Sequence, residues 1–125
     1  MNTKETKIGN IILNENYFIF QPDATSMVDT NNSRELKVIL EKEFNNHKFC
    51  CIVDNKNNPS FDYLAFITIL KEMFVPSQLS GLARINYGYD IKSLLQLKNL
   101  TNKHIKYDEF NNMDEAIAWV GNILK

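Results

Sequence analysis

The sequence has 125 residues, of which 44% are hydrophobic and 23% charged, so it suits one globular domain with a full apolar core. Its 14 basic and 15 acidic residues give a net charge of -1, and the basic ones are scattered singly, so a nucleic-acid-binding face is not expected. No secretory signal is recognisable, and the longest apolar run, 63–70, is far below the ~20 residues that span a bilayer. We therefore expect a single cytoplasmic domain over residues 1–125, without a transmembrane segment.

The first third of the chain predicts a β-hairpin followed by a helix. The apolar segments Lys7–Leu13 and Tyr17–Gln21 are two strands joined by an Asn-rich turn, and Pro22 ends the second strand. Residues Ser33–Asn46 carry apolar side chains at helical spacing, with Ser33 as the expected N-cap.

The central third predicts a buried strand and a second helix. The strand is Phe49–Asp54, whose nearly continuous apolar character indicates cover on both faces. The adjacent Cys50 and Cys51 point to opposite faces of a strand, so they are expected to be reduced core residues rather than a disulfide. The second helix begins near Ser60 and ends at Val75–Pro76.

The last third predicts two strands that alternate with two helices. The strands are Leu82–Tyr87 and Ile105–Tyr107, and a helix over Asp90–Leu100 separates them. The final helix begins at Asn112, which is followed three residues later by Glu115 in a capping-box pattern. The whole order predicts an α/β fold with a four- to five-stranded mixed sheet, an N-terminal hairpin plus parallel strands, and about four helices.

Three segments carry a resemblance to a known family. They are "CCIVDNKN" at 50–57, "LARINY" at 82–87 and "IKYDEFNNMDEAIAWV" at 105–120. With them the chain resembles STAS-like domains, the fold of anti-sigma-factor antagonists, and small bacterial proteins related to CRAL-TRIO lipid-transfer domains. The resemblance implies a non-enzymatic role in bacterial signalling through binding of another protein.

The chain departs from the phosphorylated members of that family at one position. Their phospho-acceptor serine follows an Asp at the start of the second helix, and the matching pair here is Asp62 and Tyr63. Ser60 lies nearby but out of register. Switching by phosphorylation of a serine at the usual position is therefore not expected.

Asp54 is the residue best placed for chemistry, since open α/β sheets bind ligands at the carboxyl ends of their strands. A phospho-accepting, magnesium-binding Asp would need a pair of carboxylates after the first strand, where Glu15 stands between two asparagines, and a Lys after the last strand, where none follows. The simpler interpretation is that Asp54 accepts hydrogen bonds within its own loop. His47 and His104 have no partners at metal-ligand spacing, and no nucleophile or phosphate-binding loop is recognisable. Neither an enzyme nor a cofactor is expected.

The second helix carries apolar residues around most of its circumference, more than one buried stripe requires. The resemblance implies that this helix and the loop before it contact a partner. The expected contact residues are Asp54, Asn55, Asn57, Asn58, Ser60, Asp62, Tyr63 and Phe66. Three alternatives stay open: a pocket for a small apolar ligand such as a fatty acid or lipid, self-association, and cover by neighbouring segments of the same chain.

Overall fold

The computed structural model describes residues 2–23, 29, 31–45, 47–57, 61, 65, 66, 68–70, 78–85 and 105–124. These residues contain one six-stranded sheet in which the spatial order of the strands follows the chain. The strands are Asn2–Thr6 (β1), Gly9–Leu13 (β2), Tyr17–Pro22 (β3), Phe49–Val53 (β4), Leu79–Ile85 (β5) and Lys106–Phe110 (β6). The helices are Arg34–Glu43 (α1) and Met113–Ile123 (α2). Residues 65, 66 and 68–70 are also helical and are called the helical segment below.

The sheet is mixed, as the sequence predicts. Strands β1, β2 and β3 form an antiparallel meander, and β3 to β6 run parallel. Helix α1 and the helical residue Phe66 pack on one face, and α2 packs on the other. The described residues therefore form three layers, with the sheet between two layers of helix.

Strand β1 is the element that the sequence did not predict, so the expected count of four to five strands was too low. Its sequence, NTKET, has no apolar side chain, and four of its five residues are exposed. It forms because it pairs with β2 along its whole length, from Asn2 opposite Leu13 to Thr6 opposite Gly9. The turn is held by the Thr6 hydroxyl, which accepts from the Gly9 N–H at 3.2 Å and donates to the Gly9 carbonyl at 2.8 Å.

Helix α1 begins one residue after the predicted start and ends at Glu43, three residues before the predicted end. Ser33 was expected to cap it, but its side chain makes no capping bond. The Ser33 hydroxyl instead donates to the backbone carbonyl of Asp29 at 2.6 Å, so it stabilises the turn that leads into the helix. The buried side of α1 presents Leu36 and Leu40 to the sheet.

Strand β4 lies at the centre of the core, and all five of its residues are buried. Cys51 belongs to the apolar cluster beneath α1, and Cys50 to the cluster beneath α2. Both cysteines are free and buried, and their places in two different clusters confirm that they are core residues on opposite faces of the sheet.

Strand β5 begins at Leu79, three residues earlier than predicted, so Gly81 lies inside the strand instead of introducing it. A Cβ at Gly81 would lie 3.0 Å from Cys50 Sγ, 3.1 Å from Ile123 Cδ1 and 3.3 Å from the ring of Trp119. The missing side chain therefore lets α2 approach the sheet closely. Strand β6 extends to Phe110, beyond the predicted end at Tyr107.

Helix α2 begins as the sequence predicts. The Asn112 side chain accepts a hydrogen bond from the Glu115 N–H at 2.9 Å, and Ala116 and Val120 are buried on the sheet. Trp119 is half-buried at the border of the helix, with its ring 5.4 Å from that of Phe110. The predicted helix over 90–100 and most of the predicted second helix lie outside the described residues. Within the ranges given above, no helix has both the length and the apolar character to cross a membrane.

Candidate functional site

The carboxyl ends of the four parallel strands form one row across the sheet. Phe20 of β3 is in register with Val53 of β4, Val53 with Arg84 of β5, and Arg84 with Glu109 of β6. In-register neighbours share a face, so these side chains all lie on the α1 side of the sheet. Open α/β sheets commonly bind their ligands at this end, and Asp54 follows the row directly.

Asp54 closes the loop that leaves β4. Its N–H donates to the Phe20 carbonyl at 2.9 Å, which extends the ladder between β3 and β4 by one residue. One carboxylate oxygen accepts from the Gln21 side-chain amide at 3.3 Å, and the other accepts from the Lys56 N–H at 3.3 Å. This geometry agrees with the simpler interpretation, in which Asp54 accepts bonds in its own loop and ties that loop to β3.

We define the β4 loop as residues 54–60. Its other described residues differ in their exposure to solvent. Lys56 and Asn57 are exposed, whereas Asn55 is only 1% exposed. Asn55 was expected to offer hydrogen bonds to a partner, but its burial places it inside this protein. The expected contact residues Asn58, Ser60, Asp62 and Tyr63 lie outside the described residues.

Phe66 was expected to be an apolar anchor for a partner, but its side chain is fully buried. Its ring stacks on Phe20 with 4.8 Å between ring centroids and lies 5.6 Å from Phe61. Phe66 is therefore part of the core between β3 and the helical segment.

A buried ion pair, which the sequence did not predict, lies at the far end of the row. Arg84 Nε is 3.0 Å from Glu109 Oε1, and the two side chains are only 3% and 11% exposed. The Tyr107 hydroxyl donates to the same Glu109 oxygen at 3.4 Å. Burial and, after it, the negative charge of Glu109 raise the pKa of Tyr107, while Arg84 acts in the opposite direction.

The signal for this ion pair was present but incomplete. Arg84 is the one charged residue of strand β5, and a charged side chain within a buried strand requires a partner. Only the register of β5 with β6 identifies that partner as Glu109.

The two buried thiols are poor candidates for chemistry. Burial raises the pKa of Cys50 from its ordinary 9.0 to about 12. Burial and, secondarily, the neighbouring Cys50 raise the pKa of Cys51. Both groups therefore stay protonated near neutral pH, and a thiol in that form is neither a strong nucleophile nor a metal ligand. Among the residues that the structure describes, no group of three His, Cys, Asp or Glu side chains could hold a metal ion.

Comparison with known proteins supports the fold. No protein-family model matches the sequence, and no curated protein matches it either. One similar solved structure is an uncharacterised protein of the DUF3478 family with a SpoIIAA-like fold, from Shewanella loihica PV-4. It aligns with a TM-score of 0.60 and 12% identity, over 95% of this chain and 90% of that chain. The chain thus has a SpoIIAA-like, that is STAS-like, α/β fold, as the resemblance in sequence predicted.

Proposed function

We propose that this STAS-like domain is a non-enzymatic module of bacterial signalling that binds another protein through the β4 loop and the helical segment after it. The observation that carries the proposal is the β4 loop itself. It presents Lys56 and Asn57 to solvent, and Asp54 ties its base to Gln21 of β3.

A loop whose first residue is held in this way is suited to binding, because less conformational freedom is lost at its base when a partner docks. The polar side chains of Lys56 and Asn57 supply donors and acceptors for the rim of an interface. Tyr63 remains in the proposed surface as the aromatic residue that the sequence places beyond the loop, since tyrosine is enriched among residues that dominate binding energy. The proposed surface also keeps Asn58, Ser60 and Asp62, which the sequence places in or next to the β4 loop. It leaves out Asn55 and Phe66 because they are buried.

The buried polar residues support a binding role over a catalytic one. Arg84, Glu109 and Tyr107 contact one another inside the sheet layer, and both thiols are held protonated. Tyr63 replaces the serine that phosphorylated STAS domains use, so the proposed binding is not controlled by a phosphoserine at that position.

A capture experiment with matched variants tests the proposal. Tagged full-length protein would be recovered from cells of the source organism as the wild type, as Asn57→Arg and as Asn122→Arg. Both asparagines are exposed, and position 122 lies on α2, away from the β4 loop, so the two variants carry the same change on different surfaces.

We expect the wild type and Asn122→Arg to retain the same partner in equal amounts. Asn57→Arg should retain at least about tenfold less of it, because the change removes the hydrogen bonds of the amide and places a longer, charged side chain where the partner docks. Mass spectrometry would quantify the retained protein, and matched melting curves would confirm that each variant is folded. Equal retention by all three forms would place the partner on a different surface.

A further inference from the structure

A second feature lies at the β1 edge of the sheet, three strands away from β4. Strand β1 is the edge strand, and a half-open groove of about 290 Å³ lies between it and α1. The apolar part of its lining is Leu13 of β2 together with Val38 and Ile39 of α1. Val38 is 65% exposed, which is unusual for a large aliphatic side chain among the described residues of this chain.

The charges around the groove favour an anion. Lys4 of β1 and Lys42 of α1 both line it, and within the part of the chain that the structure describes neither makes an ion pair. By contrast, Nζ of Lys37 on the same helix lies 3.9 Å from Oε1 of Glu41. The lining contains one carboxylate, that of Glu43, and the neutral Asn2, so two ammonium groups leave an excess of positive charge.

We propose that this groove binds a small linear aliphatic carboxylate. The hydrocarbon chain would lie on Leu13, Val38 and Ile39, and the carboxylate would lie near Lys4 and Lys42. The size suits a short chain, because small-molecule sites range from about 300 to 1,000 Å³ and the volume of this groove lies just below the lower limit of that range. The site is separate from the β4 loop, so it goes beyond the proposed function and does not depend on it.

The first test is a titration of the full chain with butanoate, hexanoate and octanoate, followed by methyl NMR. We expect the methyl signals of Leu13, Val38 and Ile39 to shift together, and the affinity to rise by about threefold for each methylene that the groove covers. Octylamine has the same chain with the opposite charge, and we expect it to bind at least about fivefold more weakly than octanoate. Absence of shifts at these methyl groups, or equal affinity for octanoate and octylamine, would overturn the proposal.

Variants of α1 test the charge contribution with a matched control. Lys42→Glu should weaken octanoate binding by about fivefold, because it replaces an attractive charge in the lining with a repulsive one. Lys37→Glu makes the same change at an exposed residue that does not line the groove, and it should leave the affinity within about twofold of the wild type. If both variants lost affinity equally, the effect would be one of net charge and the proposed site would be wrong.

Discussion

Arg84 and Glu109 place a charged pair on a face of the sheet that is otherwise largely apolar. Removing two charges from water is costly, and their attraction offsets that cost only while both partners are present. The pair also joins β5 to β6, and it gives Tyr107 an acceptor for its hydroxyl. We therefore interpret the ion pair as an interaction that fixes the register of these two strands.

We predict that Arg84→Met lowers the free energy of unfolding by about 3 kcal/mol, because it leaves the buried Glu109 carboxylate without its cation. The double variant Arg84→Met/Glu109→Gln should recover a large part of that loss, since no buried charge remains and the amide oxygen can still accept from Tyr107. Urea unfolding at one pH would measure both values. A double variant that is no more stable than the single one would show that the two side chains are not coupled.

The raised pKa values of the buried thiols predict a loss of folding stability at alkaline pH. The pKa of Cys50 is raised from 9.0 to about 12 in the folded protein, so the folded state holds the thiol proton more tightly than the unfolded state. The stabilising contribution is complete below pH 9.0 and is lost as the pH rises from there towards about 12. The pKa of Cys51 is shifted in the same direction, so it adds to the effect.

Cys50→Ala is the variant that tests this linkage. We expect its free energy of unfolding to fall less steeply than that of the wild type between about pH 9 and pH 11, by up to ~1.4 kcal/mol per pH unit. Its stability near neutral pH should be lower, because the deleted sulfur leaves a small cavity. Parallel pH profiles for the two proteins would contradict the assignment of a protonated, buried thiol.

At the scale of the element, the turn between β1 and β2 depends on a glycine. Gly9 has a φ of +153°, and a Cβ there would overlap the Gln21 carbonyl oxygen and lie 2.7 Å from Pro22 Cα. We predict that Gly9→Ala lowers the free energy of unfolding by about 2 kcal/mol, because both the backbone angle and the contact with β3 become unfavourable.

Gly121 is the matched control for that change. It lies in α2, and a Cβ at this position would meet nothing within 4 Å. Gly121→Ala should therefore raise the free energy of unfolding by about 0.5–1 kcal/mol, because alanine is the better helix former. Thermal unfolding would measure both variants, and equal effects at positions 9 and 121 would contradict the turn geometry.

Elements with a distinct apolar pattern could be predicted from the sequence, and those that depend on a neighbour could not. Strand β4 is apolar throughout, and α2 has both a cap and a buried stripe, so both were found. Strand β1 was missed because it is held by pairing with β2 and buries almost nothing.

The candidate site likewise combines features that could be predicted from the sequence with features that could not. The position of Asp54 after a buried strand was predictable from the sequence, and so was a hydrogen bond within its own loop, which the Lys56 N–H donates. The burial of Asn55 and Phe66 was not predictable, since it depends on which side of the loop and of the helical segment meets the core. The partner of Arg84 required the register between β5 and β6, which a single sequence does not contain.

At the scale of the whole molecule, the two proposed binding surfaces lie at different places on the three-layered fold. The central sheet is covered by α1 and the helical segment on one face and by α2 on the other, so the core has two apolar clusters. The β4 loop lies at the carboxyl ends of the parallel strands, and the proposed carboxylate groove lies at the antiparallel edge beside β1. Binding at one surface can therefore be tested without altering the residues of the other.

The measurement that tests the central claim most directly is position-specific photo-crosslinking in cells of the source organism. A photoreactive amino acid would replace Asn57 in the β4 loop or, as the control, Asn122 on α2, both of which are exposed. The account predicts a discrete cross-linked protein from position 57 and none from position 122, because only the first position lies in the proposed interface. No cross-link at position 57, or the same product from both positions, would contradict the assignment of the β4 loop as the partner-binding surface.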